Sequence, residues 1–340
     1  MTRVAVVGAG SWGTAVAALA ASNAPTVLWA RRPDLAEEVR RDHTNRAYLP
    51  DAELPHSLEA TSELAEAISG SDVVVMGVPS HGFRDILVGV APHIGAGVPV
   101  VSLTKGVEQG TLKRMTELIA EILPGNPGGV LTGPNLAREV VAGQPAASVI
   151  ALADESVAAE LQPIFSTPTF RVYTNPDVTG AEVAGALKNV MAIAAGMADG
   201  MGLGDNTKAA LITRGLAELT RLGVALGGQP LTFAGLAGIG DLVATCMSRQ
   251  SRNRHVGEEL GKGRTIEEIV ADMNMVAEGV KTSRAVVGLA EAHGVDMPIA
   301  AQVVAVLYEG QTPADGLLSL MSRDPKQELH GITGPEGAKR

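Results

Sequence analysis

One cysteine, Cys246, stands in a chain of 340 residues. No disulfide can close within the chain, and a lone thiol fits a reducing compartment. Aromatic residues make up only 3%, too few for an aromatic ligand cage or for the base-stacking faces of RNA-binding modules. Basic residues are outnumbered, 27 against 37 acidic ones, giving a net charge of −10. Nucleic acid and anionic membrane are poor partners for such a surface, so any bound anion needs a local basic cluster. Metal-ligand spacing is missing as well. The seven histidines are scattered, with no H-x-x-x-H pair and no Cys cluster.

Uninterrupted apolar runs are also short. Arg3 followed by Val4–Val7 resembles the start of a signal peptide, but Gly8, Gly10 and Gly13 break the run at once. Residues 86–104 carry no formal charge, yet Pro92, His93 and Pro99 lie among them. They read as a helix end, a turn and a buried strand, not as a bilayer span. A soluble, cytoplasmic protein with no membrane span is expected. The 46% apolar content excludes disorder, and the length suits two domains.

From Arg3 to about Tyr173, short apolar runs alternate with amphipathic stretches. The runs are 4–7, 26–29, 73–76, 98–103, 130–132, 148–152 and 170–173. Strands apolar on both faces, separated by helices, predict an α/β fold with a parallel, doubly wound sheet of Rossmann type. After Asn175-Pro176-Asp177 only helical patterns follow, including 178–198, 207–226, 282–293 and 299–308. The expected division is a dinucleotide-binding domain over 1–176, an all-helical substrate or catalytic domain over 177–330, and a polar tail over 331–340.

Gly8-Ala9-Gly10-Ser11-Trp12-Gly13 is G-x-G-x-x-G, placed directly after a strand and opening a helix. In that setting the three glycines serve the tight turn, the approach of pyrophosphate and close helix–strand packing. The helix N-terminus meets the phosphate charge. An NAD-preferring site carries a carboxylate at the end of the second strand, about 20 residues on. Here that strand ends in Ala30-Arg31-Arg32. Two guanidinium groups can take the 2′-phosphate of NADP, so NADPH is expected to be accepted. NAD stays open, since arginine also stacks on adenine.

Ligands of open α/β sheets bind beyond the carboxyl ends of the strands. Val78-Pro79-Ser80, Lys105-Gly106 and Gly133-Pro134-Asn135 lie at such ends. Lys105 either faces a bound anion or is a solvated loop lysine. Around Lys188 the helical neighbours are nearly all small, among them Ala181, Ala184, Gly185, Ala192 and Ala195. A lysine in such a stripe is partly desolvated and exchanges a proton more readily, unless it merely borders a close helix crossing. Asp241, after Gly238-Ile239-Gly240, is either a helix N-cap or the residue that orients a lysine. Arg249, Ser251, Arg252, Asn253, Arg254 and His255 form a basic island without an acid until Glu258. In an acidic protein that island reads as a phosphate site or as a solvated helix face.

These segments, with Leu103-Thr104-Lys105-Gly106, Leu187-Lys188-Asn189-Val190 and Thr245-Cys246, resemble the NAD(P)-dependent sn-glycerol-3-phosphate dehydrogenases of bacteria in order and across nearly the whole chain. The resemblance implies reversible hydride transfer between NAD(P)H and dihydroxyacetone phosphate, giving sn-glycerol 3-phosphate for glycerophospholipid synthesis. It implies Lys188 as the proton donor to the carbonyl oxygen. Lys105, Gly133, Asn135, Lys188, Asp241, Ser251, Arg252 and Asn253 match substrate contacts. Cofactor contacts match Gly8, Gly10, Ser11, Trp12, Gly13, Arg31, Arg32, Lys105, Ala137, Arg252, Val276 and Glu278. The family often has Ser-Phe where this chain has Asn135-Leu136. A homodimer is the expected assembly. Rival readings are a hydroxy-acid or ketopantoate dehydrogenase, which needs a carboxylate site, a nucleotide-sugar dehydrogenase with Cys246 as nucleophile, and a non-catalytic dinucleotide sensor.

Overall fold

A computed structural model describes residues 2–273, 277–328 and 330–331. The expected tail therefore lies outside the described residues from 332 on. The chain divides into two compact units, Met1–Val178 and Thr179–Arg340.

The first unit begins with β1 (Val4–Val7), α1 (Ser11–Ala21), β2 (Thr26–Trp29) and α2 (Pro33–Asp42). A hairpin of β3 (Thr44–Asn45) and β4 (Leu49–Glu53) follows, then β5 (Leu58–Thr61), α3 (Leu64–Ile68), β6 (Val73–Met76) and α4 (Ser80–Val90). The unit continues through β7 (Val100–Ser102), α5 (Met115–Ile122), β8 (Gly128–Thr132), α6 (Ala137–Val141), β9 (Ala146–Leu152), α7 (Glu155–Phe165) and β10 (Phe170–Asn175). Eight strands form one sheet in the order β10-β9-β8-β7-β6-β1-β2-β5. Alternation along each strand builds the two apolar layers. Val4 and Val6 pack with α1, α2 and α7, whereas Ala5 and Val7 pack with α3, α4 and α5.

Strand order reverses at β1, which lies between β2 and β6. That reversal opens a crevice at the carboxyl edge, where the glycine turn sits. The sheet is parallel at every pairing but one, β8 with β9. The expectation of a uniformly parallel sheet is corrected there. Helix α6 has five residues and covers about 7.5 Å, too little to carry the chain back along a strand of roughly 17 Å. The chain turns back instead, which brings the start of β9 beside the end of β8. Strand β5 and the hairpin are additions to the expected run of strands.

The second unit is helical among its described residues: α8 (Val178–Gly200), α9 (Asp205–Ala225), α10 (Pro230–Phe233), α11 (Asp241–Met247), α12 (Arg252–Gly261), α13 (Ile266–Asp272), α14 (Glu278–Ala292), α15 (Pro298–Tyr308) and α16 (Pro313–Met321). A single π-turn, Leu236–Gly240, joins α10 to α11. Among the described residues, the one 18-residue window apolar enough for a membrane helix, Pro230–Met247, is thus split among short pieces. Helix α8 is the centre of this unit, buried at every residue from Gly180 to Ala198. It meets α12 backbone to backbone. A Cβ on Gly196 would stand 2.0 Å from the Arg254 carbonyl oxygen, and one on Gly257 would stand 1.9 Å from that of Ile193.

Glu218 of α9 is buried and accepts hydrogen bonds from the backbone N–H groups of Ile299 (2.8 Å) and Ala300 (3.2 Å), closing the N-terminus of α15. Burial outweighs those bonds and pushes its carboxyl up to about 7 from an ordinary 4.5. The folded state therefore holds a proton that the unfolded chain has lost between those values, so stability from this group is greatest below about 4.5 and falls as pH rises to about 7. The change is about 3 kcal/mol. Glu218→Gln should remove that slope: melting midpoints of the wild type minus those of the variant decline from pH 5 to pH 8. A constant difference would contradict the burial argument.

Candidate active site

The carboxyl edge of the first unit collects the glycine loop and the ends of β2, β6, β7 and β8. Gly8 has φ of 118°, and a Cβ there would lie 2.6 Å from the Gly77 carbonyl oxygen. A Cβ on Gly13 would lie 2.0 Å from the carbonyl oxygen of Gly8, so loop and helix touch. Above Gly10 the space is open, with nothing within 4 Å of a Cβ position. The loop thus has the tight turn, the close packing and the clear approach that a pyrophosphate needs. Ser11 and Trp12 are the first residues of α1, with Trp12 tilted against Phe170 at 6.2 Å.

Beyond β2, Arg31 is exposed, and Arg32 is paired with Asp34, its Nε donating at 3.1 Å. The nearest carboxylate, Asp34, stands five residues beyond the end of β2 and already engages one of the two guanidinium groups. Arg31 is left as an exposed cation beyond the end of β2.

Lys105 is half-buried, not a solvated loop residue. Its Nζ donates to Asn135 Oδ1 at 2.7 Å and to the Gly133 carbonyl oxygen at 3.2 Å. Asn135 Nδ2 donates in turn to Ser148 Oγ at 3.4 Å. The antiparallel turn-back places Ser148 there, so Asn135 is held from both sides. Gly133 has φ of 139°, and a Cβ on it would meet Ser148 at 3.1 Å. Ala137 is the first residue of α6.

In the second unit the amine of Lys188, 5% exposed, is paired with the carboxylate of Asp241, 1% exposed. It also donates to Thr245 Oγ1 at 2.6 Å, and that hydroxyl donates to the Asp241 carbonyl oxygen at 2.7 Å. Asp241 therefore orients a lysine, and Gly240, not Asp241, occupies the N-cap position of α11. The carboxylate offsets much of the cost of burying the ammonium, and the low-dielectric setting strengthens the pair. In the sequence Thr245 stands out only within the Thr245-Cys246 segment of the resemblance; its bond to Lys188 is tertiary.

The basic island is less basic than its sequence. Arg254 is taken by Asp199, 2.8 Å away on α8, and by Glu258 at 3.1 Å. Arg249, Arg252 and His255 are exposed. Ser251 caps α12 by accepting from the Arg254 N–H at 3.2 Å. Asn253 is buried, donating to Asn189 Oδ1 at 2.9 Å and accepting from the Gly279 N–H at 2.9 Å. Glu278 opens α14, and Val276 lies outside the described residues. Cys246 is buried, and burial pushes its thiol up to about 12, which leaves no thiolate for nucleophilic attack.

Comparison with known proteins places this geometry. A family model described as NAD-dependent glycerol-3-phosphate dehydrogenase N-terminus matches residues 3–158, and its C-terminus counterpart matches residues 177–317. A protein of Sphingopyxis alaskensis named glycerol-3-phosphate dehydrogenase, NAD(P)+, 2 is 58% identical, covering 96% of this chain and 98% of its own. One of the same enzyme name from Thermobifida fusca is 53% identical, covering 98% and 100%. The crystal structure of glycerol-3-phosphate dehydrogenase from Coxiella burnetii superposes with a TM-score of 0.90 at 37% identity, over 95% of this chain and 99% of that one. The chain belongs to the NAD-dependent glycerol-3-phosphate dehydrogenase family.

Proposed function

We propose that this chain is an NAD(P)-dependent oxidoreductase that reduces dihydroxyacetone phosphate to sn-glycerol 3-phosphate, the backbone precursor of glycerophospholipids, and runs the reverse step with oxidised cofactor. The observation that carries the reading is the buried cluster of Lys188, Asp241 and Thr245 in a chain of this family. The nicotinamide, when bound, supplies a hydride to the carbonyl carbon.

Everything else falls to the protein. Negative charge develops on the carbonyl oxygen, and the Lys188 ammonium stabilises it and then transfers its proton, leaving a secondary alcohol. Asp241 and Thr245 fix the direction of Nζ. In the reverse direction the same amine takes the proton back. On the first unit, Lys105, Gly133 and Asn135 offer charge and hydrogen bonds to the substrate, and the glycine loop with Arg31 holds the dinucleotide. Ser251, Arg252 and Asn253 complete the substrate set; exposed Arg252 is the group suited to a phosphate. A homodimer in the cytoplasm completes the reading, the location supported by a single buried thiol; light scattering on the purified chain tests the assembly.

Phosphate recognition is the part most open to direct test. Steady-state rates with dihydroxyacetone should show kcat/KM lower by at least about a hundredfold than with its phosphate, since charge-assisted contacts are lost. Arg252→Ala should raise KM for the phosphate ester about tenfold. Equal kcat/KM for the two ketones would overturn the substrate assignment.

A further inference from the structure

Asn45 lies in a polar stretch without any catalytic signature, yet it is fully buried, at 0% exposure. A buried amide is costly unless each of its groups is paired. Here each is. Nδ2 donates one hydrogen to the Ala9 carbonyl oxygen at 3.0 Å and the other to Thr14 Oγ1 at 2.8 Å, and Oδ1 accepts from the Tyr48 N–H at 3.3 Å. Ala9 sits between the first two glycines of the loop, and Thr14 follows the third. One side chain thus clamps both ends of the segment that carries the phosphate-facing amides. A second tie runs from Ser11 Oγ to the Tyr48 carbonyl oxygen at 3.0 Å. The hairpin that supplies Asn45 is itself anchored, with Glu38 of α2 accepting from Thr44 Oγ1 at 3.0 Å and from the Arg46 N–H at 2.9 Å.

We infer that Asn45 is a positioning residue for the dinucleotide: it holds the Gly8–Gly13 loop in its binding conformation before the cofactor arrives. The inference rests on the cofactor reading above. A glycine-rich loop has many conformations to lose, and ordering it in advance removes that loss from the binding step. The chemistry demands a double donor. A carboxylate of the same shape would set an acceptor against the Ala9 carbonyl, which can only accept.

The test is titration of NADPH, followed by its fluorescence, into purified wild type, Asn45→Asp and Asn45→Ala, with melting temperatures and steady-state kinetics alongside. Both variants should bind NADPH about tenfold more weakly or worse. KM for NADPH should rise in step, with kcat at saturating cofactor and KM for dihydroxyacetone phosphate within about twofold of wild type. An Asn45→Asp dissociation constant within twofold of wild type would overturn the inference. So would an equal loss of affinity for both substrates, which marks general loosening. Failure of the wild type itself to bind NADPH would overturn the cofactor reading first. If neither Asn45 variant folds, Thr14→Val removes one anchor at constant volume; it should weaken NADPH about threefold, and unchanged binding would count against the clamp.

Discussion

Lys188→Ala lowers kcat about a thousandfold, while the NADPH dissociation constant stays within about twofold of the wild-type value. The two halves of that expectation have separate causes. Proton transfer and charge stabilisation at the carbonyl oxygen depend on the one amine that the second unit buries beside Asp241. Cofactor affinity resides in the glycine loop and strand ends of the first unit. Truncation also leaves the Asp241 carboxylate buried without its cation, which costs about 3–5 kcal/mol of stability. That loss has to be separated from the loss of chemistry. The paired replacement Lys188→Met with Asp241→Leu exchanges the ion pair for apolar groups of similar size, and should restore the melting temperature without restoring turnover. Turnover regained in the double variant would show that Lys188 serves the fold and not the reaction.

Gly257→Ala should be a severely damaging addition of a single methyl group. Its Cβ would stand 1.9 Å from the Ile193 carbonyl oxygen and 2.9 Å from the Met197 nitrogen, so no rotamer change can make room. Helices α8 and α12 would have to separate. Gly196, Gly200 and Gly261 line the same crossing, with Cβ positions 2.0 to 2.5 Å from carbonyl oxygens of the opposite helix. Separation would also strip contacts from Val256 and Leu260, both in the core of this unit. The expected cost is about 3 kcal/mol or more, roughly a 10 °C fall in melting temperature for a domain of this size. The Asn189–Asn253 bond crosses the same seam, so activity should fall as well. A variant that melts within a degree or two of wild type would contradict the backbone contact.

Strands flanked by helices on both faces were legible because each is a short continuous apolar run, as in Val4–Val7 and Val73–Met76. Strand β5 was not. Its residues Leu58 and Ala60 are buried while Glu59 is exposed, the pattern of a sheet edge, too brief to stand out from a loop. The reversed direction of β9 left no mark in the periodicity, since a strand buried on both faces looks alike in either direction. At the site, residue types and order pointed to Lys188, Asp241 and Lys105, but the choice between cap and orienting acid, or between loop lysine and bound lysine, is tertiary. Asp241 lies 53 residues from Lys188 in the chain, and Asp199 lies 55 from Arg254. Local spacing carries no information about such partners. Asn45 was invisible for the same reason: only the folded hairpin reveals that its amide spans the glycine loop.

The central claim is a hydride transfer to carbon 2 of a phosphorylated ketone. It is tested most directly by incubating the purified chain with dihydroxyacetone phosphate and NADPH doubly deuterated at the nicotinamide C4, then weighing the product. The account predicts sn-glycerol 3-phosphate carrying a single deuterium on carbon 2. Cofactor that stays reduced, or a product without that deuterium, would contradict it.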